Sequence, residues 1–400
     1  MKKTLVRVLC LVLAVAMMVP CFVSCGEKNY AENNEKIKIG VSGPLTGPAA
    51  VYGIAVRNAA QLAVNEINEA GGLDGMLFEL VVTDDKHDPN NIATNYANLY
   101  EGGMQISLGT VTTKPGLEFK ELSKDDNVFV LTPSASGDLI PEYDNAFQMC
   151  FADSNQGEES AKVFNEDYKG KKIGIFYKSD DEYSTGIVAK FEAALADEFK
   201  AGLEKASFKG DENQFDTQVN TLKDCDVIFM PIYYTPASQF MKAALGKVAD
   251  DAVYYGCDGL DGIDAIDGFD VNEIPQKISY LSHFVSTATS GAAKEFIDKY
   301  NAAYDEKAEP LNQFGAAAYD CVYAIFEALK VAKANGKKFD VTTSASDFCD
   351  ILTEVFTSDT FVYHGVTGAA EADGKSVIRW NDSGFVNKDP LSYIVEKTAE

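Results

Sequence analysis

Six short runs in this chain carry the residue types that hold a small charged molecule. Three are rich in hydroxyls: Ser42 to Tyr52, Thr110-Val111-Thr112-Thr113, and Thr132-Pro133-Ser134-Ala135-Ser136. Three others gather tyrosines about an acid: Lys178 to Tyr183, Tyr233-Tyr234-Thr235, and Cys257-Asp258-Gly259. Hydroxyls beside a helix start, with the free backbone N–H groups found there, suit an anion such as a carboxylate. An aspartate flanked by tyrosines suits an ammonium group, paired by charge and covered by aromatic faces. One face for an anion and one for a cation is what a zwitterionic amino acid needs. Taken singly, each Ser or Thr is better explained as a helix cap than as a ligand contact, and Asp258 also fits a cap and Tyr233 and Tyr234 packing at the lobe boundary.

Catalytic chemistry has little to work with. A hydrolase needs a nucleophile with a nearby base, yet the chain has no GxSxG turn. Its histidines, His87, His283 and His364, are scattered without carboxylate or cysteine companions at ligand spacing. Outside the first 24 residues the cysteines are Cys25, Cys150, Cys225, Cys257, Cys321 and Cys349. They form no CxxC and no regular spacing, so neither a zinc site nor a disulfide framework is indicated. No enzyme, metal or cofactor is expected.

The elements that must position these runs alternate between short strands and amphipathic helices. Lys36–Val41 reads as a strand, and Val51, Ala55, Ala59, Leu62, Ala63 and Ile67 line one face of the helix after it. Gly71-Gly72 stops that helix. Strands follow around Phe78–Val82, at Ile106–Gly109 and at Val128–Leu131. The rhythm restarts with a strand at Lys172–Tyr177, a helix over Thr185–Phe199, and strands at Val227–Met230, Ala252–Gly256 and Ile278–Leu281. Late helices (Ala292–Tyr304, Asn312–Ala334, Ala345–Val355) precede two short strands near Val377–Trp380 and Leu391–Val395. Such alternation predicts an α/β fold with parallel sheets covered on both faces. In open sheets of that kind ligands bind at the carboxyl ends of the strands, which is where all six runs fall.

The amino terminus fixes the compartment. Lys2, Lys3 and Arg7 precede an apolar stretch from Val8 to Val19, and Phe22-Val23-Ser24 leads to Cys25. This order is a secretory signal, too short for a comfortable membrane span of about 20 residues. The cysteine at the cleavage point resembles the bacterial lipobox, so residues 1–24 are expected to be a signal peptide and Cys25 the lipidated residue. An ordinary signal peptide cut nearby is the other reading of the same residues. Residues 25–36, rich in Asn and Glu, are expected to be a flexible tether. Loss of residues 1–24 takes the formal charge from -26 to -29. So acidic a chain is repelled by phosphate backbones, which excludes nucleic acid as a partner.

Longer ordered matches narrow the field. Ile39-Gly40-Val41-Ser42-Gly43-Pro44-Leu45-Thr46-Gly47 with Tyr52-Gly53 resembles the opening of leucine/isoleucine/valine-binding proteins. So do Ala63-Val64-Asn65-Glu66-Ile67-Asn68-Glu69-Ala70-Gly71-Gly72-Leu73-Asp74-Gly75 and Asp84-Asp85-Lys86-His87-Asp88-Pro89, with weaker similarity through Gly365-Val366-Thr367-Gly368. The resemblance implies a type I periplasmic binding protein: two Rossmann-like lobes, three crossover strands, and a ligand cleft between the lobes. On that division lobe one takes residues 37–149 with 284–385, and lobe two 150–283 with 386–400. Thr113 then stands where the family's serine binds the α-carboxylate, with Ser134 and Ser136 assisting from the next loop. Tyr52 matches a lining aromatic of lobe one, and Tyr183 and Tyr234 match tyrosines of lobe two. Asp258 stands where the family carries an acidic ammonium partner, often glutamate. The arm shorter by one methylene leaves the ligand's side-chain class open.

The implied role is the extracytoplasmic, lipid-anchored receptor of an ABC importer, acting as a monomer with permease and ATPase subunits as partners. Its expected ligand is an amino acid, branched-chain or hydrophobic. A sensory receptor of the same fold, or a binding protein for urea, short amides or another small polar solute, fits the same residues.

Overall fold

The computed structural model describes residues 28–305, 309–370 and 376–397. The expected signal peptide, residues 1–24, and Cys25 lie outside the described residues. Strands β1 (Ile37–Gly43), β2 (Phe78–Asp84), β3 (Ile106–Thr110), β4 (Phe129–Thr132) and β5 (Ala146–Gln148) form one sheet, in the order β2-β1-β3-β4-β5. All its pairings are parallel, with Ile37 beside Phe78 and Ile39 beside Ile106. Every residue of β3 and β4 is buried. Helices cover both faces, so even Ser107 and Thr132 of these strands are buried.

A second sheet uses β6 (Ile173–Lys178), β7 (Glu204–Phe208), β8 (Val227–Met230), β9 (Val253–Gly256) and β10 (Lys277–Ser282). After a separate antiparallel ribbon of β11 (Tyr363–Ala370) and β12 (Ser376–Ile378), strand β13 (Leu391–Ile394) returns to this sheet. The order is β13-β10-β9-β8-β6-β7, and only β13 runs antiparallel, on β10. The molecule is thus an α/β protein of two lobes. The chain passes between them after β5, after β10 and before β13.

The late helices have no sheet of their own because they complete lobe one. Helix Gln313–Ala334 lies along helix Ala50–Glu69, where Ala55, Ala59 and Ala63 are fully buried. The approach is close enough that a Cβ on Gly315 would sit 3.0 Å from the Ala55 carbonyl oxygen. Helix Ala345–Phe356 covers β4, with the rings of Phe356 and Phe129 at 5.0 Å.

Two expectations change. The helix expected over Thr185–Phe199 begins earlier, at Glu182, because the Asp181 carboxylate caps it by accepting from Ser184 N–H at 3.2 Å. It ends at Ala194, where Leu195 turns extended, and a separate turn of helix spans Asp197–Lys200. The expected tether is not loose over its described part. Asn29 Nδ2 donates to Thr342 O at 2.9 Å, Ala31 is buried, and Asn34 Nδ2 donates to Gly103 O at 2.8 Å. Asparagine-rich sequence reads as solvated, yet here the amides are spent on backbone carbonyls of lobe one.

Candidate ligand-binding site

The carboxyl ends of both sheets face one another across the gap between lobes. From lobe one, Thr112 and Thr113 follow β3, and helix Thr113–Asp125 starts there without a side-chain cap on its N–H groups. Those groups stay free to meet an anion. Thr113 Oγ1 accepts from Gly137 N–H at 3.2 Å, which ties it to the loop after β4. That loop is itself pinned: Gln148 Nε2 donates to Ala135 O at 2.8 Å and to Gly137 O at 3.1 Å. Ser134 Oγ donates to Val111 O at 2.7 Å, so its proton holds the neighbouring loop rather than a ligand. Tyr52 rises from helix Ala50–Glu69, and its ring meets Phe314 edge-on at 4.6 Å.

Lobe two presents Asp258, only 2% exposed, in the turn after β9. Tyr183 Oη donates to its Oδ1 at 2.7 Å and accepts from Gly259 N–H at 2.9 Å. Asp258 N–H donates to Gln156 Oε1 at 2.9 Å, and Gln156 Nε2 reaches Asp153 Oδ1 at 3.4 Å. The Tyr233 ring stacks on Tyr183 at 4.7 Å. Its hydroxyl is buried and without a partner among the described residues.

Six of the seven ligand residues expected from the sequence line one cavity: Tyr52, Thr113, Ser134, Ser136, Tyr183 and Asp258. The exception is Tyr234, whose side chain points the other way. Its hydroxyl accepts from Val51 N–H at 3.4 Å and its ring packs edge-on against Tyr52 at 4.9 Å. Tyr233 occupies the lining position instead, beside Val111, Thr112, Gly259 and Phe314. Adjacent tyrosines at a strand end differ only in which face they take, and the sequence carried no signal to separate them. Asp153 is a second acid that sequence reasoning missed. It is buried at the start of helix Asp153–Asp167, and its N–H donates to Ser136 O at 2.8 Å. The three-residue β5 that leads to it is too short to show a period.

The electrostatics are one-sided. Burial pushes the Asp258 carboxyl up to about 7, against the hydrogen bonds from Tyr183 and Gln156 that favour its charge. Asp153 is raised well above the ordinary range by burial and then by the Asp258 charge. Burial also lifts Asp181 to about 6. Near the outer rim His87 is lowered to about 4 by burial, with Lys178 and Lys114 adding to it, so it is neutral at pH 7. A positively charged group placed between these acids would relieve the cost of burying them.

The lobes are shut. Tyr52 Oη donates across the gap to Gly259 O at 2.5 Å, and Thr235 Oγ1 donates to Pro48 O at 2.8 Å. The lined cavity is about 10 Å³, room for one water molecule. Beyond Tyr233 lies an outer cavity of about 290 Å³ bordered by His87, Lys178, Phe208 and Glu212.

The sequence pattern of the periplasmic binding protein family matches residues 36–365, most of the chain and both halves of this cleft. The chain belongs to that family. Relatives of the periplasmic binding protein are binding proteins rather than enzymes. The "Leucine-, isoleucine-, valine-, threonine-, and alanine-binding protein" of Pseudomonas aeruginosa is 29% identical over 59% of this chain, a match spanning 64% of that protein's own length. The "Leu/Ile/Val-binding protein homolog 3" of Brucella melitensis is 26% identical over 88% of this chain and 93% of its own. Among solved structures, the branched-chain amino acid transporter substrate binding protein LivJ of Streptococcus pneumoniae, in complex with isoleucine, is 27% identical. It superposes with a TM-score of 0.69, covering 90% of this chain and 99% of its own. This family is extracytoplasmic. Among the described residues no helix is long and apolar enough to cross a membrane.

Proposed function

We propose that this solute-binding protein is the lipid-anchored receptor of an ABC importer and carries a free amino acid to a permease driven by ATPase subunits. The observation that carries the reading is the pairing, in one buried cavity, of uncapped N–H groups at Thr113 with the Asp258 carboxylate. The first suits an α-carboxylate and the second an α-ammonium, so the two ends fit opposite ends of one zwitterion. Tyr52, Tyr183, Tyr233 and Phe314 form the walls, and their apolar faces suit a hydrophobic side chain. The names borne by the relatives point the same way. Cys25 supplies the anchor.

Calorimetry with the branched-chain amino acids tests the reading. The parent protein should bind one or more of them, and the same amino acid acetylated on nitrogen should not bind. Equal affinity for the free and acetylated forms would remove the ammonium from the account, and a neutral solute such as urea or a short amide would take its place.

A further inference from the structure

We infer that the Tyr233 ring stands in the slot that receives the ligand's side chain, and that an aromatic amino acid such as phenylalanine displaces it into the outer cavity and stacks on Tyr183 in its place. This rests on the amino-acid reading above and names the side chain.

The inner cavity, about 10 Å³, holds no amino-acid side chain, so a wall has to yield when ligand sits between the shut lobes. Two of its three tyrosines are fastened. Tyr52 Oη donates to Gly259 O at 2.5 Å, and Tyr183 Oη donates to Asp258 Oδ1 at 2.7 Å. The Tyr233 side chain is held by ring contacts, and its buried hydroxyl has no partner among the described residues. An unpaired buried hydroxyl is costly, so turning it toward polar groups is favourable. Tyr233 precedes helix Tyr234–Ala244 with extended backbone, φ −76° and ψ 159°, where more than one staggered χ1 is open to it.

Space lies directly behind this ring. Among the described residues Tyr233 alone borders both the inner cavity and the outer one of about 290 Å³. Pro48, Phe208 and Pro236 give the outer cavity an apolar lining for a displaced ring, and Lys178, Asn213 and Gln239 give polar groups for its hydroxyl. The slot left behind is shaped for a flat ring. Tyr183 lies nearly parallel to Tyr233, with centroids at 4.7 Å and 14° between planes, and His87 meets it edge-on at 5.0 Å and 81°. His87 is itself fixed, its Nδ1 at 2.9 Å from Thr112 Oγ1. A phenyl side chain takes over both contacts while its ammonium meets Asp258 and its carboxylate meets Thr113. A branched aliphatic chain fills part of the slot but gains neither ring contact.

Calorimetry with phenylalanine and leucine tests this. The parent should bind phenylalanine about tenfold more tightly than leucine, the worth of a stacked and an edge-on ring contact together. Gln239→Trp fills the outer cavity and leaves a displaced ring no room, so phenylalanine affinity should fall by about tenfold. In Tyr233→Ala there is no ring to displace. Adding Gln239→Trp to that variant should leave its phenylalanine affinity unchanged, a coupling that general damage to the fold does not produce. Thermal melts check that each variant is folded. Leucine bound by the parent as tightly as phenylalanine overturns the displacement and leaves the amino-acid reading standing. So does a Gln239→Trp effect that is absent, or that is equal with and without Tyr233. Failure of the parent to bind phenylalanine or any branched-chain amino acid removes the amino-acid reading and the displacement together.

Discussion

Asp258 bears most of the chemistry expected of the cleft, and two measurements isolate it. Replacing it by asparagine keeps the volume and a partner for Tyr183 but removes the charge. Breaking one side of a buried charge pair costs about 2–5 kcal/mol of binding free energy, so Asp258→Asn should weaken an amino-acid ligand by that amount with the fold intact. Thr113→Val should cost less, since backbone N–H groups still meet the carboxylate. Calorimetry on both variants checks the ranking, and parent-like affinity in Asp258→Asn would count against the ammonium contact. The second measurement is pH dependence. Asp258 is raised from its ordinary 3.8 to about 7 in the folded protein. Between those values the folded state holds the proton that the unfolded state has lost, so stability falls as pH rises from about 4 to about 7. Denaturation midpoints should drop across that window, and less steeply in Asp258→Asn. A ligand ammonium needs the ionised form, so affinity in the parent should instead rise from pH 5.5 to 7.5. Flat affinity over that range would show that no proton leaves the site on binding.

The turn Asp258–Leu260 sets how this carboxylate meets Tyr183, and Gly259 is its tight point. A Cβ at Gly259 would lie 2.7 Å from both Tyr183 Oη and Ile232 O. Gly259→Ala should therefore push the tyrosine off the carboxylate, costing about 1–3 kcal/mol of stability, and should weaken ligand binding. Thermal melts with and without amino acid test both effects; parent-like values in both would show that the turn has slack. Much of this arrangement was legible in the chain. The strand–helix rhythm placed the sheets, and the runs that follow β1, β3, β4, β6 and β9 put six of the seven chosen residues into one cavity. What escaped has physical reasons. β5 is three residues long, too short for a period, and it hid the route to Asp153. β7, Glu204-Lys205-Ala206-Ser207-Phe208 at a sheet edge, has only two apolar residues and so gives little strand signal. Tyr233 and Tyr234 are neighbours, and only the backbone at the start of helix Tyr234–Ala244 decides which ring enters the cleft.

At the scale of the molecule, the two lobes are joined by three passages of chain, and a buried lysine stitches them together. Lys388 Nζ donates to Met149 O in the first passage at 2.6 Å and to Thr367 Oγ1 at 2.5 Å. Thr367 in turn bonds Asp320, and Gly368 N–H meets His283 O in the second passage at 2.5 Å. Burial lowers Lys388 to about 8 while the Asp320 charge opposes it. Lys388→Met should strand two buried acceptors and cost about 1–3 kcal/mol in denaturant unfolding, with the cleft residues unaltered; an unchanged midpoint would show that the hinge does not depend on this lysine. Such a joint is stiff locally yet leaves the lobes free to part, as they must, because the shut cavity admits no more than one water. A ligand favours the shut form only by contacts it makes better there than in the open form. Thr113 and Ser136 stand on one lobe and Asp258 and Tyr183 on the other, so a zwitterion gains both sets at once only on closure. Small-angle scattering should show a smaller radius of gyration at saturating amino acid than without it. In Asp258→Asn, ligand held by the Thr113 side alone has no reason to prefer the shut form, so the contraction should vanish even at concentrations that fill the site. A radius that stays constant in the parent on saturation would mean that binding and closure are not linked, and the clamp would have to be abandoned.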